Sequence, residues 1–260
     1  SNPSGDRPVK KGNRRPIRLG VVGTIVPGLN AYLSYNETFS ISRGLRFVRV
    51  GGIVTGADFL PDPGSSTKEG GIHLAMLDQR LNINASYYAI SQTGRTGGGT
   101  SSFEPIVNLP DNTNTGVEFQ ITAAPTDNWF VVGSVTKASI QDVGGARSRD
   151  FAETLANFFT KYTFREGAAK GWGIGAGFNH YGDKVPATLP SGTAGPVRNY
   201  MIPAVTTFDA TVSYGWDNWV FQFNGSNLAD KLYVTRFGSS VLAVWVSTGR
   251  TWTLSTRYRW

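Results

Sequence analysis

Hydrophobic and polar positions alternate with a period of two along most of the chain. In TTFDATVSYGW, Phe208, Ala210, Val212, Tyr214 and Trp216 alternate with Thr207, Asp209, Thr211, Ser213 and Gly215. NWVFQFNGS sets Trp219, Phe221 and Phe223 against Asn218, Gln222 and Asn224, and TGVEFQITA sets Val117, Phe119 and Ile121 against Glu118, Gln120 and Thr122. GWGIGAGFNHY places Trp172, Ile174, Ala176 and Phe178 on one side and glycines with Asn179 on the other. The pattern recurs, with less clean faces, at 17–26, 29–39, 70–77, 81–91, 129–140 and 154–164, and closes the chain at 251–260. There Trp252, Leu254, Tyr258 and Trp260 share one face, opposite Arg257 and Arg259. Successive side chains point to opposite faces only in a strand, so eleven strands are predicted. A helix would need apolar residues at i, i+3 and i+4, and glycines and β-branched residues crowd these segments instead.

Alternation alone fits a β-sandwich, with one face in a dry core and the other in water. The connections separate that reading from a barrel. Short links at 27–28, 78–80, 125–128, 165–171 and 217–218 alternate with long ones near 40–69, 92–115, 141–153, 183–205 and 235–250. In an up-and-down meander every second connection lies on the same rim, so one rim carries tight turns and the other long loops. That sorting describes an outer-membrane barrel with an apolar outside and a wet inside. Trp129, Trp172, Trp216 and Trp219 each lie beside a short link and Trp260 ends the chain at the same rim, as an interfacial aromatic girdle requires. The fold class expected is all-β, an antiparallel up-and-down transmembrane β-barrel.

The strand count is odd, whereas bacterial single-chain barrels have an even number. An antiparallel barrel cannot close on eleven strands, and an open edge in lipid leaves backbone groups unpaired. Residues 1–260 are therefore read as one partial barrel domain, the C-terminal half of a larger barrel. If 239–247 (SSVLAVWVS) formed a further strand, a closed twelve-stranded barrel would become the alternative.

Composition narrows the chemistry. There is no cysteine and only two histidines, His73 and His180, so neither a thiolate nor a histidine metal centre is expected. No catalytic constellation is present, no phosphate-binding glycine loop is followed by a helix, and no cofactor is expected. Gly173, Gly175 and Gly177 alternate along one strand, which suggests room left for something in the lumen. The net charge of +7 points to an anionic partner, although the basic run from Arg7 to Arg18 reads as a solvated loop. No stretch approaches the ~20 apolar residues of a membrane helix, and SNPSGDRPVKKGNRRP lacks the apolar core of a signal peptide.

Several stretches resemble the barrels of TonB-dependent outer-membrane receptors, the siderophore-receptor branch in particular. TGVEFQITAAPTDNWFVVGSVTKASI resembles one of their hairpins. FDATVSYGWDNWVFQFNGSNLADKLYV is similar to the penultimate hairpin, with its signature at Asn227, Leu228, Asp230, Lys231 and Tyr233, and TGRTWTLSTRYRW to the closing strand. LNAYLSYNETFS and GGIHLAMLDQRLNINASYYAIS resemble mid-barrel strands. The resemblance implies a twenty-two-stranded barrel in the bacterial outer membrane, of which these strands are the last eleven. It also implies a plug domain and a TonB box, neither of which is found in this sequence, so that the chain alone would not transport. It further implies that Trp252, Leu254, Tyr258 and Trp260 form the signal read by the barrel-assembly machinery, with Trp260 in place of the usual phenylalanine.

The function this implies is active uptake of a ferric siderophore or similar nutrient, not enzymatic catalysis. The partners implied are outer-membrane lipid and lipopolysaccharide, the assembly machinery, the ligand, and TonB through the N-terminal part; nucleic acid is not among them. Ligand contacts are expected on the long loops, from Arg43, Arg46, Phe47, Arg49, Arg198, Tyr200, Arg236, Phe237 and Trp245. Arginine beside aromatics suits an anionic chelate through charge-assisted hydrogen bonds and cation–π contact. The alternatives are that these arginines meet lipopolysaccharide or keep the loops soluble. At the level of the whole chain, the alternatives are a small self-closing porin with a basic lumen and a soluble β-rich binding domain.

Overall fold

A strand with apolar residues at every second position has one face to keep from water, and here eleven such strands do so side by side in one sheet. The computed structural model describes residues 15–42, 44–50, 53–97, 107–108, 111–142, 151–185, 201–237 and 244–260. Its strands are β1 (Arg18–Val26), β2 (Leu29–Phe39), β3 (Leu45–Val50), β4 (Ile53–Phe59), β5 (Gly64–Met76), β6 (Leu81–Thr93), β7 (Thr96–Gly97), β8 (Val107–Asn108) and β9 (Asn112–Thr126). They continue with β10 (Trp129–Asp142), β11 (Thr154–Thr163), β12 (Trp172–Tyr181), β13 (Val205–Trp216), β14 (Trp219–Ser226), β15 (Val234–Phe237), β16 (Val244–Val246) and β17 (Thr251–Tyr258). The large sheet runs in the order β1-β2-β5-β6-β9-β10-β11-β12-β13-β14-β17, every neighbour antiparallel. It is a meander with each of the eleven expected strands in place.

The remaining strands form three small hairpins within the long connections: β3–β4, β7–β8 and β15–β16. Of the stretch 239–247 left open by the sequence, Val244–Val246 pairs with Val234–Phe237 outside the main sheet, and 239–243 lie outside the described residues. β1 and β17 each pair on one side only, and among the described residues the sheet is open rather than a closed barrel.

Register makes the alternation two-dimensional. One row crosses the sheet through Leu29, Leu74, Ile83, Ile121, Gly133, Phe158, Phe178 and Phe208. A lower row joins Tyr162, Ile174, Val212, Phe223 and Leu254. The opposite face carries a row of Asn30, His73, Asn84, Gln120, Ser134, Asn157, Asn179 and Thr207. The apolar face is the exposed one: Leu33, Leu254 and Trp216 are 64%, 73% and 63% accessible. Among the described residues, the buried hydrophobic side chains are only Ala123, Ala138 and Ile202, while Thr207, Thr211 and Ser213 are buried on the polar face. A water-soluble domain has the reverse distribution. No helix among the described residues is long and apolar enough to cross a membrane; strands do the spanning.

The alternating glycines of β12 have a local occupant. A Cβ on Gly175 or Gly177 would lie 3.0 Å from the Phe159 ring, and one on Gly173 would lie 3.1 Å from Cε of Lys161. The space expected for something in the lumen is thus covered by side chains of the neighbouring strand β11. The turn between β1 and β2 depends on Gly28, whose φ of 86° and close approach to the Ala75 carbonyl exclude a side chain.

Candidate functional site at the long-loop end

The polar face ends, on the long-loop rim of β11–β14, in a hydrogen-bonded knot centred on Asp209. Asp209 is the carboxylate in the Thr, Ser and Gly row of β13, and both its oxygens accept. Asn179 Nδ2 of β12 donates to Oδ2 at 2.8 Å, and the backbone N–H of Asn227 donates to Oδ1 at 2.8 Å. Asn227 adopts φ 52°, a left-handed conformation that asparagine tolerates better than most residues, and this turns the chain away from the sheet. Its side chain then closes the turn, with Nδ2 donating to the Lys231 carbonyl and Oδ1 accepting from the Lys231 N–H.

The returning arm is tied to the same knot. The Arg250 N–H donates to Asp230 Oδ1 at 2.8 Å, and the Ser247 hydroxyl donates to the Lys231 carbonyl at 3.2 Å. The Ser247 N–H donates to the Tyr233 carbonyl at 2.9 Å, and the Tyr233 N–H donates to the Ser247 hydroxyl oxygen at 3.2 Å. Both feet of the last long connection are therefore fastened to β12, β13 and each other.

Two cavities flank the knot. A polar one of 210 Å³ lies between Asn179, Thr207, Asp209, Asn227 and Ser247, and a more apolar one of 380 Å³ lies between Leu155, Lys184, Ile202, Pro203 and Val234. Tyr181 and Tyr233 line both. Burial pushes the Tyr233 phenol above its usual pKa, and the neighbouring Tyr181 and Asp209 add to the shift. Tyr233 therefore stays neutral well into the alkaline range. The arrangement offers hydroxyl and amide groups beside apolar walls, suited to binding a polar molecule rather than transforming one.

Above the knot, β15 and β16 bring Arg236 and Trp245 into register, with the guanidinium 5.4 Å from the indole centroid. These two expected ligand residues meet, and Phe237 closes the same strand. Arg46, Phe47 and Arg49 lie in β3 of a separate hairpin. Arg43, Arg198 and Tyr200 lie outside the described residues. Sequence reasoning missed Asp209, Asn179 and Tyr181. A carboxylate interrupting a row of hydroxyls and glycines was the available signal for the first.

At the opposite rim, Trp129, Trp172 and Trp219 open strands and Trp216 closes one, all exposed beside short turns, with Trp260 at the chain's end. Trp219 packs against Tyr258 at 4.9 Å and Trp172 against Tyr214 at 5.0 Å. Trp252 stacks on Phe223 at 5.2 Å, and Leu254 continues the same exposed face. His73 and His180 lie on opposite faces of the sheet, and His180 bonds Thr206.

The family model for the TonB-dependent receptor-like β-barrel matches residues 18–228, most of the large sheet. This chain belongs to that family. As a TonB-dependent receptor barrel its place is the bacterial outer membrane, and it is a receptor part rather than an enzyme. Comparison with curated protein sequences finds no match. Among solved structures it is similar to the Pseudomonas aeruginosa receptor FpvA in complex with a heterologous ferric pyoverdine. Identity is 20% over 96% of this chain and 33% of that one, with a TM-score of 0.79. It is similar too to the closed form of the E. coli ferric-catecholate import receptor Fiu (19%, 92% and 34%, TM-score 0.75). The ferric yersiniabactin uptake receptor FyuA of Yersinia pestis gives 15%, 93% and 36%, with a TM-score of 0.73. The chain spans about a third of the length of these receptors.

Proposed function

We propose that this chain is the C-terminal half of a twenty-two-stranded outer-membrane barrel, in a receptor that takes up a ferric siderophore or similar nutrient with energy supplied through TonB. The observation that carries the reading is the open eleven-stranded sheet, largely apolar on one face and, among the described residues, unpaired at the outer edges of β1 and β17. Such a sheet needs further strands before lipid can surround it. The ligands named for FpvA, Fiu and FyuA are ferric chelates, which supports the same class here. Gating and energy transfer belong to a plug and a TonB box, so the chain by itself does not transport.

In this reading the ligand approaches from the long-loop rim. Arg236 and Trp245, together with Phe237, Arg43, Arg46, Phe47, Arg49, Arg198 and Tyr200 from the neighbouring loops, form the anion-attracting surface. Tyr181 and Tyr233 line the deeper cavities. Trp129, Trp172, Trp216, Trp219 and Trp260 form the girdle at the periplasmic interface. Trp252, Leu254, Tyr258 and Trp260 present the assembly signal to the barrel-assembly machinery.

The test is uptake of radiolabelled ferric chelates by iron-starved cells that carry this barrel in its complete receptor as their sole such receptor. Accumulation of one chelate should stop when TonB is deleted. Accumulation that persists without TonB would make the protein a passive channel and overturn the reading.

A further inference from the structure

The polar face carries an apolar interruption beside a lone cation. Phe130 stands on that face in register with Lys161, and Val132 in register with Phe159 one row nearer the long-loop rim. Phe130 is 44% accessible, on a face that otherwise presents mostly hydroxyls, amides and glycines. On the other side of Lys161 the wall is bare. Gly173 leaves the lysine room to lie along it, since a Cβ there would sit 3.1 Å from Lys161 Cε and 2.6 Å from Ser213 Oγ. Thr211, in register with Gly175, has a buried hydroxyl with no hydrogen-bond partner among the described residues.

Charge is unevenly divided over this face. Among the described residues of the sheet it holds Arg18, Glu69, Glu118, Lys161, Asp209 and Arg257. Glu69, which accepts from the Tyr32 hydroxyl, and Glu118 belong to β5 and β9, and Arg18 opens β1 at its long-loop end. From β11 to β17 the one described carboxylate is Asp209, two residues up β13 from Thr211, and both its oxygens are taken by Asn179 and the Asn227 N–H. Below Asp209 that half carries only cations. Lys161 faces Gly175, four residues down β12 from Asn179, a drop of about 13 Å at the rise of a strand. Arg257 belongs to the row of Gly215, four residues further down β13 from Thr211 and so about 13 Å lower again. Lys161 is half-buried and makes no ion pair or hydrogen bond with a described residue. An ammonium partly withdrawn from water is costly to keep without a counter-charge. Its combination with aromatic rings repeats, inside the lumen, the pairing of Arg236 with Trp245 at the rim.

We infer that Lys161, with Phe130 and Phe159 beside it, is a second contact for an anionic ferric chelate, reached after the ligand leaves the long-loop cavities, so that the β11–β13 wall is its way through the lumen. The ammonium holds an anionic group of the chelate and the rings meet its apolar part, while Glu69 and Glu118 repel it from the other half of the wall. No covalent bond is made or broken. The inference rests on the uptake reading above and adds a route to it.

The test uses the complete receptor in iron-starved cells and reads two quantities for one radiolabelled anionic ferric chelate. These are surface binding in cells without TonB and the maximal uptake rate in cells with it. Lys161→Glu should leave the binding constant within about twofold and lower the rate by about tenfold or more, the scale of one hydrogen bond to a charged group. Lys161→Arg should keep most of the rate. Asn84→Asp, which sets a new carboxylate on β6 in the other half of the same face, should leave the rate unchanged. All variants should give the parental amount of heat-modifiable barrel and the parental resistance to large antibiotics, whereas a lysine that only held another part of the receptor in place would open a leak on charge reversal. Unchanged uptake in Lys161→Glu, weakened surface binding, an equal loss in Asn84→Asp, or such a leak would overturn the inference. Parental accumulation that does not need TonB removes the uptake reading and this inference with it. TonB-dependent uptake untouched by Lys161→Glu removes this inference alone.

Discussion

Asp209 joins three stretches of chain through two oxygens, and that makes it the residue whose loss should be felt furthest. Hydrogen bonds to a charged group contribute roughly 1.5–3 kcal/mol each, and Asp209 accepts one from Asn179 and one from the Asn227 backbone. Asp209→Ala should therefore destabilise the feet of the β14–β17 connection by about 3 kcal/mol, with little effect on the short-turn rim. Limited proteolysis of the receptor in detergent should show new cleavage within 227–250 while the barrel band persists. An unchanged digest would remove Asp209 from this role. By contrast, the Arg80–Asp127 ion pair at 2.8 Å joins two exposed side chains, and Arg80→Ala should change the unfolding midpoint hardly at all. The sequence shows Asp209 as an oddity on a hydroxyl face, but not its partner. Asn227 is eighteen residues away, and reaches it only because the chain turns through a left-handed conformation there.

At the scale of the strand, the glycines divide into those that are packed against and those that are free. A Cβ at Gly177 would sit 2.4 Å from the Phe158 carbonyl, a backbone atom that cannot step aside, whereas one at Gly23 meets nothing within 4 Å. Gly177→Ala should cost about 1–3 kcal/mol by overpacking the β11–β12 pair. Gly23→Ala should be neutral or stabilise by about 0.4–1 kcal/mol through the unfolded chain. Thermal shift of the heat-modifiable band in SDS gels separates the two, and equal shifts would contradict this account. The strands were legible because lipid and water impose opposite demands on alternate residues over the membrane's thickness. Beyond that thickness the signal fades. β5 begins at Gly64 and not near residue 70, since GSSTKEG is polar on both faces and is held in the sheet by pairing with Phe39 and Thr93 at its far end. The hairpins β3–β4 and β15–β16 rise within the long connections for the same reason, stabilised by local pairing that leaves no lipid-facing pattern to read.

At the scale of the molecule, the decisive feature is what the two edges demand. β1 and β17 each present a row of backbone donors and acceptors with no partner among the described strands, and an unsatisfied group in hydrocarbon costs several kcal/mol. Parity of turns and loops was enough to show from sequence that eleven strands leave such edges. It was not enough to show whether 239–247 would mend them, because a short apolar run reads the same in a loop hairpin as in a wall. With β16 committed to β15, no described strand is left over to satisfy the edges. This chain, exported alone behind a signal peptide, should then give no heat-modifiable band in the outer membrane. Co-export of the N-terminal strands as a separate polypeptide should restore one. Unboiled SDS gels of outer-membrane fractions distinguish the outcomes. A band from the chain alone would mean that β1 and β17 pair with each other despite the odd count, which would require parallel pairing at the seam and would turn a receptor's half-wall into a small pore.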